Sequence, residues 1–453
     1  MKKLIALLLA VVMVMGLAAC GSKTTTETKA PTEAKVDTPA TEAKTDAPAA
    51  AGSVYYLNFK PEFDQALQGL AASYTEKTGV PVKVVTAASG DYSNTLNAQM
   101  GKDGAPTVYN IGNMSGLKDW DEYALDLTGT PLAGELTTND FNLYNEAGEL
   151  KAMGYCYESF GIIVNTKLLA DAGHSLDEIK DFASLKAVAD DIHARAAELG
   201  FDAFSSAGLD GSSSWRFSGH LANMPLYYEF RDDGVTEQPA EIKGTYLDNF
   251  RNIWDLYITD SAADPTALST ATGDQSEAEF GEGKAVFYQN GTWEYAALTA
   301  DKFNLNPDEI AMIPIYCGVD GEEKAGLCSG TENCWAINSQ AKEEDIQASL
   351  DFLYWLVTDP DASAVLVEQL GAVPFKSCPA SANKFIVDGN DLLAKGNYAV
   401  TWAFNYTPNV DSWRATVVTA LAAYSADPTD ANWEAVKTAF VDGWAIEYKT
   451  VNG

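Results

Sequence analysis

Histidine is nearly absent: His174, His193 and His220 are the only three in 453 residues, and none forms an HxxH or HExxH pair. That argues against a metal site or a histidine-based catalytic centre. Positive charge is scarce too, with 30 Lys and Arg against 64 Asp and Glu, a net charge of −34. A field of that sign repels nucleic acid and anionic lipid and disfavours anionic ligands, so neutral or cationic small molecules are the natural partners. No GxSxG elbow and no GxxxxGK[ST] phosphate loop occurs, and Gly281, Gly283 and Gly291 are not spaced as GxGxxG. An acyl hydrolase, a P-loop enzyme and a dinucleotide site are therefore not indicated. Carboxylates are too numerous for any pair to be singled out as a glycosidase dyad. Cysteines are few: Cys156, Cys317, Cys328, Cys334 and Cys378 accompany Cys20. Their spacing matches no zinc pattern, and five cannot all pair internally. Free thiols are expected, with one disulfide among Cys317, Cys328 and Cys334 left open. No cofactor and no metal is called for.

Long apolar runs are missing as well. Leu4 to Val14 follows Lys2 and Lys3 and leads through small residues to Cys20. It is too short to span a membrane but has the form of an export signal. Leu17-Ala18-Ala19-Cys20-Gly21 resembles the bacterial lipobox, which implies cleavage before Cys20 and a diacylglycerol on its sulfur. The alternative is an ordinary signal peptide cut near Ala19. From Gly21 to about Gly52 the chain is Thr, Ala, Lys, Glu, Asp and Pro with no aromatic residue. Such a stretch cannot offset its ordering entropy and reads as a flexible tether with a reach of roughly 30 Å. The lipobox and tether together imply a domain anchored outside the cell membrane, of the Gram-positive type.

The whole chain is 46% apolar and 11% aromatic, and the part after Gly52 is plainly globular and too long for one small core. Two lobes are expected. Val54 to Leu57 reads as a strand. Phe63, Leu67, Leu70 and Tyr74 recur at helical spacing before Gly79, and Val80 to Val85 is a second strand. Tyr92 to Met100 reads as a helix and Pro106 to Ile111 as a third strand. Strand, helix, strand at this spacing predicts an α/β fold with parallel pairing, whose ligands gather beyond the carboxyl ends of the strands. Those ends are Asn58 to Lys60, Ser89 to Tyr92, and Asn110 to Asn113.

The order of these segments, together with Lys77-Thr78-Gly79-Val80-Pro81-Val82-Lys83-Val84 and Ala105-Pro106-Thr107-Val108, resembles the first lobe of family 1 extracellular solute-binding proteins. These are the receptors of carbohydrate ABC importers, with maltose-binding proteins among their relatives. Gly161-Ile162-Ile163-Val164-Asn165-Thr166-Lys167, Gly283-Lys284-Ala285-Val286-Phe287 with Gly291-Thr292-Trp293, Met312-Ile313-Pro314 and Trp335-Ala336-Ile337-Asn338 continue the likeness. This chain has Pro-Thr for the usual Pro-Asp at Pro106 and lacks the Tyr of Tyr-Asn-Lys before Asn165.

The resemblance implies a two-lobed fold with a cleft between lobes and a lipid-anchored, monomeric receptor. It captures a mono- or oligosaccharide by hinge closure and delivers it to an ABC permease. Lobe I is expected to comprise 53–160 and 317–358, lobe II 161–316 and 359–453, after a leader at 1–19 and a tether at 20–52. Hinges are expected near Glu158–Ile162, Cys317–Gly318 and Val357–Asp361.

A sugar cleft asks for flat aromatic faces and planar amides or carboxylates. Asn58, Lys60, Tyr92, Asn110 and Asn113 at the strand ends supply one wall. Trp215 in a Gly/Ser-rich loop, Trp293, and Trp402 with Asn405 supply the other. Trp293 falls where the family stacks a sugar, and Glu158 where relatives place a carboxylate. Each has a plainer alternative: core for the tryptophans, turn residues for the asparagines, surface charge for Lys60 and Glu158. Phe250, Ile253, Trp254 and Tyr257 read as core, and Leu366, Leu370, Trp413 and Leu421 as closing helices of lobe II. A receptor for a polyamine, peptide or other cation, or a tethered glycoside hydrolase, are the competing readings.

Overall fold

The computed structural model describes residues 52–87, 91–331 and 334–453. The expected leader, Cys20, the tether as far as Ala51, and Ser89 lie outside the described residues. Twelve strands are present among the described residues: β1 Val54–Asn58, β2 Val82–Thr86, β3 Val108–Ile111, β4 Leu143–Tyr144, β5 Leu150–Gly154, β6 Glu158–Asn165, β7 Asp202–Phe204, β8 Ala285–Gly291, β9 Ile310–Ile313, β10 Ala325–Gly330, β11 Cys334–Ile337 and β12 Tyr398–Thr401.

They form two sheets. The first runs β2-β1-β3-β11-β5-β4, with β1 parallel to both β2 and β3 as the strand–helix–strand pattern requires. The helix Asp64–Thr78 turns Leu67, Leu70, Ala71 and Tyr74 inward and stops at Gly79, whose φ of 78° closes it in the left-handed conformation. The second sheet runs β12-β10-β6-β8-β7. Its spine is β6: one edge pairs with β8, and the other is shared between β10 at Glu158 to Phe160 and β9 at Ile162 to Asn165. Helices cover both faces, so β8 is buried along its whole length. Tyr56, Val108, Trp335 and Phe352 centre the core of the first lobe. Phe160, Trp254, Phe287 and Trp413 centre that of the second, where Phe250, Ile253, Trp254 and Tyr257 are all buried.

The chain steps between the lobes at three places. One, at 155–157, adjoins the expected hinge. The other two lie elsewhere than expected. Cys317–Gly318 is a turn inside the second lobe: the Glu322 carboxylate accepts from the N–H groups of Cys317 at 2.7 Å and Gly318 at 2.8 Å. Asn249 Nδ2 donates to the Gly318 carbonyl at 2.8 Å. The chain stays in the second sheet through β10 and crosses only between β10 and β11, so 317–330 belongs with lobe II.

Val357–Asp361 is likewise a corner between two helices of lobe I. Asp359 accepts from the N–H groups of Asp361 and Ala362 and caps the helix Pro360–Leu370. Leu366, Leu370 and Phe375 of that segment pack into the first core rather than closing the second lobe. The third step follows at 379–383, after Cys378 and before the helix Lys384–Ala394 brings Phe385 into one cluster with Ile163 and Tyr288. Turn residues mark where the chain bends; which core the flanking apolar residues join is decided by packing.

The five described cysteines outside the leader are free thiols. No group of three metal-ligating side chains occurs among the described residues, and no described helix is long and apolar enough to cross a membrane.

Candidate ligand-binding site

The steps between lobes gather one end of each sheet. In the second, β8 ends at Gly291 opposite Phe160, and β10 ends at Gly330 opposite Glu158. The loop after β1 reaches this edge from the first lobe. Lys60 Nζ donates to Glu158 Oε1 at 2.7 Å and to Glu62 Oε1 at 2.8 Å. Lys60 and Glu158 are 4% and 5% exposed. Burial alone would lower the Lys60 pKa, but the carboxylates of Glu158 and Glu62 outweigh it and hold the ammonium charged well above the usual lysine range.

Above β6 and β8 stands a group of rings. The chain from Asp210 to Ser214 is a tight turn, with the Ser213 and Ser214 N–H groups donating to the Asp210 carbonyl at 3.1 and 2.9 Å. Trp215 follows, its Nε1 donating to the Ser212 carbonyl at 2.8 Å, which pins the indole. A π-helical turn, Arg216–Leu221, then carries His220 over the sheet; such wide turns recur at functional sites. His220 stacks on Phe160 at 4.1 Å and 9°. It also meets Trp215 edge-on at 5.0 Å, Trp293 at 5.3 Å, and Trp402 and Phe404 at 5.9 Å each. Trp215 and Trp293 lie 5.8 Å apart and tilted by 55°; both are partly exposed.

Two glycines make room for this wall. A Cβ on Gly291 would lie 2.1 Å from the Trp293 ring, and one on Gly330 would lie 2.5 Å from that of Trp402. Arg216 braces it from beneath, donating Nε to the Gln289 carbonyl at 2.9 Å and Nη1 to Ser213 Oγ at 3.1 Å.

A model of the bacterial extracellular solute-binding protein family matches residues 69–388. The chain belongs to that family. The solved structures agree on the fold of this solute-binding protein. RafE in complex with raffinose is 17% identical with a TM-score of 0.69, covering 88% of this chain and 99% of that one. The GacH receptor of Streptomyces glaucescens is 19% identical with a TM-score of 0.64, covering 88% and 98%. A sugar transporter of Bacillus licheniformis in complex with stachyose is 16% identical with a TM-score of 0.65, covering 87% and 99%. No curated protein matches the sequence.

The structure brings Trp215, Trp293 and Trp402 into one wall and Lys60 and Glu158 into one ion pair. Trp402 stands behind the others, 5% exposed, with Nε1 donating to the Cys328 carbonyl at 3.0 Å. The first-lobe residues are mostly engaged in shaping their own loops. Asn58 Nδ2 donates to the Lys60 carbonyl at 2.6 Å and Thr86 Oγ1 at 3.0 Å. Asn110 Oδ1 accepts from the Phe59 N–H at 3.1 Å. The Tyr92 hydroxyl donates to the Leu57 carbonyl at 3.1 Å and accepts from the Asn110 N–H at 2.6 Å. Asn113 caps the helix Met114–Trp120 through Gly116 N–H at 2.8 Å. Asn405 Nδ2 donates to the Thr331 carbonyl at 3.0 Å, while its Oδ1 is buried without a partner.

Sequence reasoning missed His220, Gln289 and Glu294. A lone histidine signals little by itself, and the five-residue step from Trp215 to His220 is a π-turn spacing that helical periodicity does not flag.

Glu294 follows Trp293 and accepts from Asn290 Nδ2 at 2.9 Å. Burial, then the nearby Glu277 carboxylate, raise its pKa to about 7, with Arg216 pulling the other way. A carboxyl raised in the folded state stabilises it below the unfolded value, and that contribution is lost as pH rises through the folded one. Glu294→Gln should therefore leave the Tm unchanged near pH 4.5 and raise it by about 4 °C at pH 8, since each kcal/mol moves Tm by roughly 1 °C in a body this large. Differential scanning fluorimetry across pH checks this; equal shifts at both ends would refute the assignment.

Proposed function

We propose that this protein is the lipid-anchored receptor of an ABC importer, capturing a mono- or oligosaccharide between its lobes and presenting it to the permease. The observation that carries the reading is the partly exposed pair Trp215 and Trp293, set at an angle over His220 where the two lobes adjoin. Flat rings of this kind suit the C–H faces of pyranoses, and amide side chains suit their hydroxyls. RafE and the Bacillus licheniformis protein, which share the fold, were solved with raffinose and stachyose. Family membership supports transport rather than turnover. The acidic field tolerates a neutral ligand, and the Glu62 and Glu158 carboxylates already share Lys60, which weakens the case for a cationic one.

Ligand touching both lobes binds the closed form better and shifts the population towards it, with the three interlobe steps as the hinge. The lipid on Cys20 and the tether keep the receptor beside its permease on the outer face of the cell membrane. A thermal-shift screen of the folded body against raffinose, stachyose and other oligosaccharides, beside polyamines and peptides, tests this. A rise in Tm of several degrees with a saccharide is expected, with no product released from it. A shift with amines or peptides alone, or hydrolysis of the glycan, would overturn it.

A further inference from the structure

We propose that Gln289 and His220 form a polar floor beneath Trp215 and Trp293 that takes adjacent hydroxyls of an uncharged sugar ring. This deepens the saccharide-receptor reading and rests on it.

The strand register puts the groups together. In the antiparallel pairing of β6 with β8, Phe160 stands opposite Gly291 and Ile162 opposite Gln289. Opposite residues share a face, as do residues two apart on one strand. The Gln289 side chain is therefore on the face that bears Phe160, beside Gly291. His220 stacks on Phe160, and the Trp293 indole lies directly over Gly291. The amide, the imidazole and the two tryptophans thus occupy neighbouring positions on one patch of the second lobe.

The polar atoms of this patch lack partners. Gln289 is 2% exposed and His220 3%, yet Gln289 Nε2, Gln289 Oε1 and His220 Nδ1 are all buried without a hydrogen bond. Burying a primary amide with neither its donor nor its acceptor satisfied costs free energy, and native interiors seldom retain one without a use. Arg216, which could have served the side chain, donates instead to the Gln289 backbone carbonyl. Burial, with Arg414 and Arg216 adding to it, keeps His220 neutral by moving its pKa well below the ordinary histidine value. An amide presents a donor and an acceptor side by side, which matches two vicinal hydroxyls; the neutral imidazole adds one more site. None of these three atoms carries a charge to neutralise, so a hydroxyl-bearing ring fits them better than a carboxylate or an ammonium.

The test uses Gln289→Leu and His220→Phe in the full folded body, with the raffinose-series saccharide that binds the wild type best and its monodeoxy analogues as probes. Isothermal titration should show affinity falling about tenfold or more in each variant. The Tm without ligand should stay level or rise, because an unpartnered polar group has been replaced by an apolar one. One monodeoxy analogue should bind the wild type markedly worse than its parent yet bind Gln289→Leu equally. Wild-type affinity in both variants, or a fall in unliganded Tm that accompanies the loss of binding, would overturn the floor while leaving the receptor reading intact. A wild type that binds no saccharide would overturn both.

Discussion

Trp293→Ala is expected to weaken saccharide binding by roughly 30-fold, about 2 kcal/mol for a lost stacking face and its buried area, while moving the unliganded Tm little. The ring is partly exposed and rests on Trp215 and His220 at 5.8 and 5.3 Å rather than in a closed core. Trp254 and Trp413, by contrast, are fully buried. Truncating either of those would open a cavity and cost about 3–5 kcal/mol. Trp293→Phe should retain most of the affinity, because a flat face remains. Titration calorimetry with parallel melting curves separates the cases: a Tm loss for Trp293→Ala as large as that for Trp254→Ala would make Trp293 a core residue, and unchanged affinity would remove it from the site.

Lys60→Met should be the most destabilising loop substitution in the first lobe, because the side chain is buried. Its ammonium is shared by Glu158 and Glu62 at 2.7 and 2.8 Å, and removing one partner of a buried ion pair costs about 3–5 kcal/mol because a charge is left uncompensated. That corresponds to a Tm lower by about 5 °C in a body this large. The double variant Lys60→Met/Glu158→Gln should recover more than half of the loss. Because the Lys60 pKa is raised, its contribution is complete below the unfolded lysine value of ~10.4 and is lost only as pH climbs through the folded one. The difference between wild type and Lys60→Met should therefore be flat from pH 6 to about 9. A loss under about 1 kcal/mol, as for a surface pair, would show that Lys60 does not hold the β1 loop to the second lobe.

The early strands and helices were legible because their signals are local. Phe63, Leu67, Leu70 and Tyr74 lie at helical spacing and Gly79 ends that run, so the helix Asp64–Thr78 follows from neighbours along the chain. The tryptophans of the site were legible as residue types for a sugar cleft. The boundaries of the lobes were not. The turn at Cys317 looked like a crossing, but its N–H groups belong to Glu322, five residues on. Leu366 and Leu370 carry a helical pattern that is equally compatible with either core, and only packing against Phe352 and Trp335 assigns them to the first. His220 and Gln289 were invisible for a related reason: their significance comes from the β6–β8 register, which joins residues more than a hundred positions apart.

By itself, then, the sequence determined the fold class of the body and set the expectation of a binding protein. Net charge, hydrophobic periodicity and the lack of nucleophile, phosphate-loop and metal motifs are properties of composition and short-range order. Tertiary structure alone decided where the chain crosses between lobes, that Lys60 is an ion-pair partner rather than a surface charge, and which polar atoms are left unpartnered beneath Trp293. Those depend on which distant segments share a core, and burial and hydrogen bonding become definite only once that choice is made.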